Sequence, residues 1–141
     1  MTFARAFRVV IVVWFAGAVV AGAWTIAEAG PGAAPSCSQA CQQRVQAKQR
    51  ERHYQRVWSS APASMRAHLR RIAQCESGGN HRAVSPSGQY RGLVQMDYQT
   101  WASVGGKGDP AAASRWEQWS RAVRLYRMRG PQPWPTCGHA R

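Results

Sequence analysis

Residues 69–80 read Leu69-Arg-Arg-Ile72-Ala73-Gln74-Cys75-Glu76-Ser77-Gly78-Gly79-Asn80, and this stretch decides the fold. With Met65 before it, Leu69, Ile72 and Ala73 stand at i, i+4, i+7 and i+8, the stripe of an amphipathic helix. Glu76 follows Leu69 by seven residues and falls within about 20° of it on a helical wheel. The spacing therefore puts a carboxyl group on the apolar face, in the last turn before Gly78-Gly79 ends the helix. Desolvation there disfavours the ionised form and raises the pKa, which a general acid needs to hold its proton near neutral pH. The competing reading is a structural Glu paired with Arg70, Arg71 or Arg82.

Working outward, Pro62 marks the break that precedes this helix. Upstream, residues 37–58 read as a polar, basic helix whose apolar stripe (Val45, Tyr54, Val57, Trp58) is too thin to form a core by itself. It is either an arm reaching for anionic walls or a helix docked through Tyr54, Val57 and Trp58. Downstream, residues 81–95 are rich in turn formers and predict a short irregular hairpin. Asp97 is an acceptable N-cap for a short helix through Trp101 to Val104. Ser114-Arg-Trp-Glu117 reads as a capping box opening a helix with Trp116, Trp119, Val123 and Tyr126 on one stripe, closed by Gly130 and Pro131. The expected fold class is mainly α.

At the other end, Arg5 and Arg8 precede Val9–Ala27, a run of 19 residues without charge. The small-x-small Ala27-Glu28-Ala29 suits signal cleavage, whereas the length of the run suits a membrane anchor through residues 9–27. Both remain open, and either places the rest of the chain outside the cytoplasm, secreted or membrane-anchored. The expected organisation is a signal or anchor at 1–29, a linker with the basic helical segment at 30–61, and a catalytic domain at 62–141.

The 141-residue chain carries a net charge of +13, and beyond residue 29 it has 17 Lys/Arg against 5 Asp/Glu. Outside a cell, anionic wall polymers and lipid head groups are the obvious partners for such charge. No zinc-finger, helix-turn-helix or RNA-binding signature accompanies it, so no nucleic-acid partner is expected. Cys37, Cys41, Cys75 and Cys137 suit disulfides in an exported chain and allow three pairings. A Cys37–Cys41 bridge across one helical turn is borderline in geometry. The cysteine and histidine spacings do not form a zinc set, and no metal or organic cofactor is implied.

Five blocks in order carry a family resemblance: Ile72-Ala-Gln-Cys75-Glu76-Ser77-Gly78-Gly79-Asn80, Gly92-Leu-Val-Gln95-Met96-Asp97, Thr100-Trp101, Gly105-Gly106 and Trp134-Pro135-Thr-Cys137-Gly138. Over residues 68–138 the chain resembles the resuscitation-promoting factors, actinobacterial wall enzymes with a lysozyme-like fold related to lytic transglycosylases. The resemblance implies Glu76 as the catalytic acid and a Cys75–Cys137 disulfide. It also implies Gln95, Thr100 and Trp101 as substrate-binding residues of a sugar groove. Each has a plainer role beside it: Trp101 as core, Thr100 as a turn residue, Gln95 as a support for its own loop. Trp134, between Pro133 and Pro135, reads as a packing plug, and Asp97 as a cap rather than a nucleophile.

The chain departs from the family pattern at Met96 (usually Phe), Gln99 (usually small) and Pro131 (often Trp), and in a loop about one residue longer between Glu76 and Gln95. The expected substrate is the peptidoglycan glycan strand, cut at the β-1,4 link between N-acetylmuramic acid and N-acetylglucosamine. Only Asp97, Asp109 and Glu117 follow as second carboxylates. A transglycosylase route to an anhydro-sugar is therefore favoured, with hydrolysis open. The alternative is a non-catalytic peptidoglycan-binding module of the same fold.

Overall fold

The computed structural model describes residues 37–139. The expected signal or anchor segment at 1–29 and the linker that follows lie outside the described residues. Among the described residues no helix is long and apolar enough to cross a membrane.

Four α-helices and two 3₁₀ turns make up the unit: α1 (Gln39–Ser59), α2 (Ala63–Ser77), α3 (Tyr98–Ser103) and α4 (Arg115–Arg129), with 3₁₀ turns at Pro110–Ala112 and Cys137–His139. Isolated bridges Val84–Arg91 and Arg91–Met96 are the only β pairing among the described residues. This is the mainly α architecture expected, with the irregular hairpin in its expected place.

Helix α1 is built from strong helix formers, Gln, Arg, Lys, Ala and Glu. Ser38 caps it by accepting the Cys41 N–H, and a Cys37–Cys41 disulfide closes its first turn. Its docking face rests on α4. The Trp58 and Trp119 ring centroids lie 4.5 Å apart, the Tyr54 hydroxyl donates to Glu117 at 3.0 Å, and Ser114 donates to Glu51 at 2.8 Å. Arg66 of α2 donates to the carbonyls of Ser59 and Ala61 and so ties down the end of α1. Of the two readings of this segment, the helix is the docked one. Val45, expected on its apolar stripe, is instead 47 % exposed.

Helix α2 buries Leu69, Ile72 and Ala73 completely or nearly so. It ends on Gly78 at φ 62°, where Gly78 N–H bonds the Gln74 carbonyl and Gly79 N–H the Ala73 carbonyl, a Schellman stop. Helix α3 starts on Asp97, whose carboxylate accepts the Thr100 N–H. Helix α4 starts on Ser114, which accepts the Glu117 N–H. The reciprocal half of the expected capping box is missing. Glu117 turns instead to Tyr54 and Arg121, because a phenol and a guanidinium are better partners for a carboxylate than one backbone amide. The core gathers Leu69, Ile72, Leu93, Val94, Met96, Trp101, Val104, Val123, Leu125 and Trp134 around Trp58 and Trp119.

The second disulfide joins Cys75 to Cys137 across 62 positions. Chain-entropy arguments assign such a loop roughly 4 kcal/mol of stabilisation. Replacing both cysteines by Ala should lower the melting temperature sharply, whereas replacing Cys37 and Cys41 should change it little. Truncating Trp58 to Ala removes a large ring from the α1–α4 seam and should cost about 3 kcal/mol. Val45→Ala should leave chemical denaturation unchanged.

Candidate active site

The site is assembled by the tripeptide Cys75-Glu76-Ser77 in the last turn of α2. Cys75 ties the helix to the C-terminal segment through Cys137. Ser77 Oγ donates to the Leu93 carbonyl at 2.7 Å and ties it to the turn at residues 92–95. Glu76 stands between these tethers in sequence, in a cleft of about 410 Å³ lined also by Ser85, Tyr90, Gln95 and Pro133–Cys137.

The turn at 92–95 is fixed from three directions. Gln118 Oε1 accepts the Leu93 N–H at 2.7 Å, Ser77 holds the Leu93 carbonyl, and Trp134 Nε1 donates to the Val94 carbonyl at 2.7 Å. Gly92 allows this approach: with φ at 83°, a Cβ here would sit 2.5 Å from Gln118 Oε1. Gln95 is forced to φ 50°, the one described non-glycine residue with positive φ. Its amide Nε2 donates back to the Gly92 carbonyl at 2.8 Å.

Glu76 is half-buried, and burial alone raises its pKa above the ordinary 4.5. The alternative of an ion pair with Arg70, Arg71 or Arg82 is not met, since the ion pairs among the described residues are Arg91–Asp109 and Arg121–Glu117. The other described carboxylates are all engaged. Glu51 accepts from Ser114, Asp97 caps α3, Asp109 is held by Arg91 and the Ala111 N–H, and Glu117 by Tyr54 and Arg121. The hydrogen bond from Arg91 keeps the Asp109 carboxyl below its usual range. Among the described carboxyl groups, Glu76 is thus the one without a hydrogen-bond or ion-pair partner.

Of the four residues expected in the groove, the structure brings Glu76 and Gln95 together and leaves Thr100 and Trp101 out of the cleft lining. Trp101 takes the plainer of its two roles, as core. It is 2 % exposed, with Nε1 on the Lys107 carbonyl at 3.3 Å, because it points from the inner face of α3 into the core. Thr100 lies at the start of α3, its N–H spent on Asp97. Trp134 is the plug expected of it. Met96 is 4 % exposed, so its departure from the family residue is a matter of core packing. Tyr90, Ser85 and Thr136 were not anticipated in the cleft. An aromatic among turn formers, 43 % exposed in the fold, was the available signal for Tyr90. Among the described residues no group of three or more metal-ligating side chains converges.

Comparison with known proteins follows the same ground. A family model described as "Transglycosylase-like domain" matches residues 63–137. The chain is 52 % identical over 69 residues to "Resuscitation-promoting factor RpfC" of Mycobacterium tuberculosis, covering 49 % of each chain. It is 42 % identical over 67 residues to "Resuscitation-promoting factor Rpf" of Micrococcus luteus, covering 48 % of this chain and 30 % of the relative. To "Probable transglycosylase SceD" of Staphylococcus epidermidis it is 41 % identical over 78 residues, covering 52 % of this chain and 36 % of the relative. The matches thus span about half or less of the length of these curated relatives.

The raised pKa has a consequence for stability. Folded Glu76 holds its proton to higher pH than the unfolded chain does, so its contribution falls as pH rises from about 4.5 through the raised folded value. Glu76→Gln carries no such penalty. Its melting temperature relative to wild type should therefore rise between pH 4 and pH 7; a constant difference across that range would show Glu76 to be fully solvated.

Proposed function

Since this chain belongs to the transglycosylase-like domain family through residues 63–137, we propose that it cleaves peptidoglycan glycan strands with Glu76 as general acid. The observation that carries the reading is a carboxyl group raised in pKa by burial alone, lining a cleft with no Lys or Arg among its described lining residues. Glu76 protonates the glycosidic oxygen of the β-1,4 link between N-acetylmuramic acid and N-acetylglucosamine as an oxocarbenium-like centre develops.

Among the described residues no second carboxylate lines the cleft, which favours attack by a hydroxyl of the same sugar over attack by a carboxylate-activated water. The Glu76 carboxylate left by the first transfer then takes the hydroxyl's proton, and an anhydro-sugar leaves. Gln95 lines the same cleft and supports this arrangement. One of its two amide N–H groups is given to the Gly92 carbonyl, and its side-chain oxygen keeps its capacity to accept from a sugar hydroxyl. A non-glycine residue held at φ 50° beside the acid fits the storage of backbone strain at functional sites. Tyr90 offers an aromatic face at the rim. Export by residues 1–29 and attraction of the cationic surface to anionic wall polymers complete the reading of a wall-associated protein.

Glu76→Gln should fold normally and lose about 10²–10⁴-fold in glycan cleavage, the range typical of acid catalysis. Wild-type rates should fall as pH rises above the raised Glu76 pKa, because the proton donor is then lost. Mass spectra of digested peptidoglycan should contain anhydro-muramic ends. Wild-type rates from Glu76→Gln would sink the catalytic role, and wild type that binds walls without cutting them would leave a glycan-binding module. Gln95→Gly should keep the fold while lowering turnover.

A further inference from the structure

A second cleft, of about 480 Å³, lies in the seam between α1 and α4 and shares no lining residue with the Glu76 cleft. Gln46, Gln49, Arg50, His53 and Tyr54 line it from α1, and Arg121 from α4. Each of these side chains carries an N–H or O–H donor, and none is a carboxylate. Arg121 sends Nη2 to Glu117 and the Tyr54 hydroxyl and Nη1 to the Val104 carbonyl. Its Nε is buried without a hydrogen-bond partner. A buried N–H left unmet is costly, and it belongs to a side chain that lines the cleft.

The surroundings favour an anion. Of sixteen Lys and Arg between residues 37 and 139, two stand in ion pairs with side-chain carboxylates. The acids that could offset the rest are turned to internal partners. Along α1, Arg44, Lys48, Arg52 and Arg56 are exposed and recur every four residues, about 6 Å apart along the helix axis. That spacing is inside the roughly 8 Å screening length at physiological salt, so their fields add.

We propose that the α1–α4 seam binds phosphoryl groups of a phosphodiester-linked wall polymer, with the α1 stripe tracking neighbouring repeats. Two guanidinium groups, an imidazole and two amides around one cleft suit a group with several acceptor oxygens. A membrane surface is disfavoured because α1 keeps its large apolar side chain, Trp58, against α4 and shows only Val45 outward. Single-stranded nucleic acid is disfavoured because the Tyr54 ring carries the Arg121 guanidinium, 5.4 Å from its centroid, and offers no free stacking platform. The anion chemistry stands on these residues; the identity of the polymer rests on the wall-enzyme reading above. The α1 residues lie outside the matched family segment, so the site is an addition to the cleaving unit.

The test is titration of the full chain with inorganic phosphate and with poly(glycerol phosphate), followed by calorimetry and by NMR of the arginine Nε–H signals. Phosphate should shift the Arg121 and Arg50 signals. Arg50→Gln/His53→Gln should weaken polymer binding at least about tenfold, the worth of one charge-assisted contact. It should leave the melting temperature and cleavage of short uncharged glycans unchanged. Gln49→Glu, which places a carboxylate in the seam, should weaken binding by a similar factor. Wild-type affinity in both variants, or an unmoved Arg121 signal, would overturn the site. Equal affinity for RNA or for anionic phospholipid vesicles would overturn the polymer assignment. Glu76→Gln should bind the polymer as wild type does, and polymer binding by a chain that cleaves no glycan would support the seam while defeating the catalytic reading alone.

Discussion

The buried backbone of Leu93 and Val94 is the constraint on which the rest of the site depends. Peptide groups taken out of water must find partners, and these lie in a turn too short to supply its own. Three side chains from three parts of the chain do so: Ser77 from α2, Gln118 from α4 and Trp134 from the C-terminal segment. The acid-bearing helix, the far helix and the C-terminal segment are thereby referenced to one short stretch of backbone. Gln95 inherits its left-handed conformation from that arrangement, and Glu76, one residue before Ser77, inherits its position.

The same economy appears in the charges. Four carboxylates are absorbed by caps, a phenol, a hydroxyl and two guanidinium groups. The fifth is desolvated without compensation. Burial raises the pKa of Glu76, while a hydrogen-bonded Arg partner lowers that of Asp109. The two acids are chemically alike; their neighbours push them apart. Among the described residues the cations are left largely outside, around a cleft whose described lining residues include none of them.

Helix α1 links these themes. By composition it is a solvated, basic rod, and most of its length is exposed. Three points of attachment, Glu51, Tyr54 and Trp58, convert it into one side of a seam. Its charges are then held at fixed spacing on a rigid surface instead of on a mobile tail, and the binding proposal follows from this difference.

Much of the architecture was legible in the chain alone. The stripe Leu69-Ile72-Ala73, the glycine stop at Gly78 and the caps at Asp97 and Ser114 are local signals, set by neighbours within one or two helical turns. They placed the helices and put Glu76 on an apolar face. Whether Trp101 faces a sugar or the core depends on what packs against α3, and nothing within a few residues of it carries that information. The same holds for Glu117, drawn from its own cap by a tyrosine 63 positions away, and for Tyr90, which becomes a cleft wall only when residues 85–95 fold back on α2. Periodicity and capping chemistry are written in the sequence because they act over a few residues. The partners of a buried amide, a stray carboxylate or an exposed ring are chosen by distant segments, and only the tertiary structure brings those together.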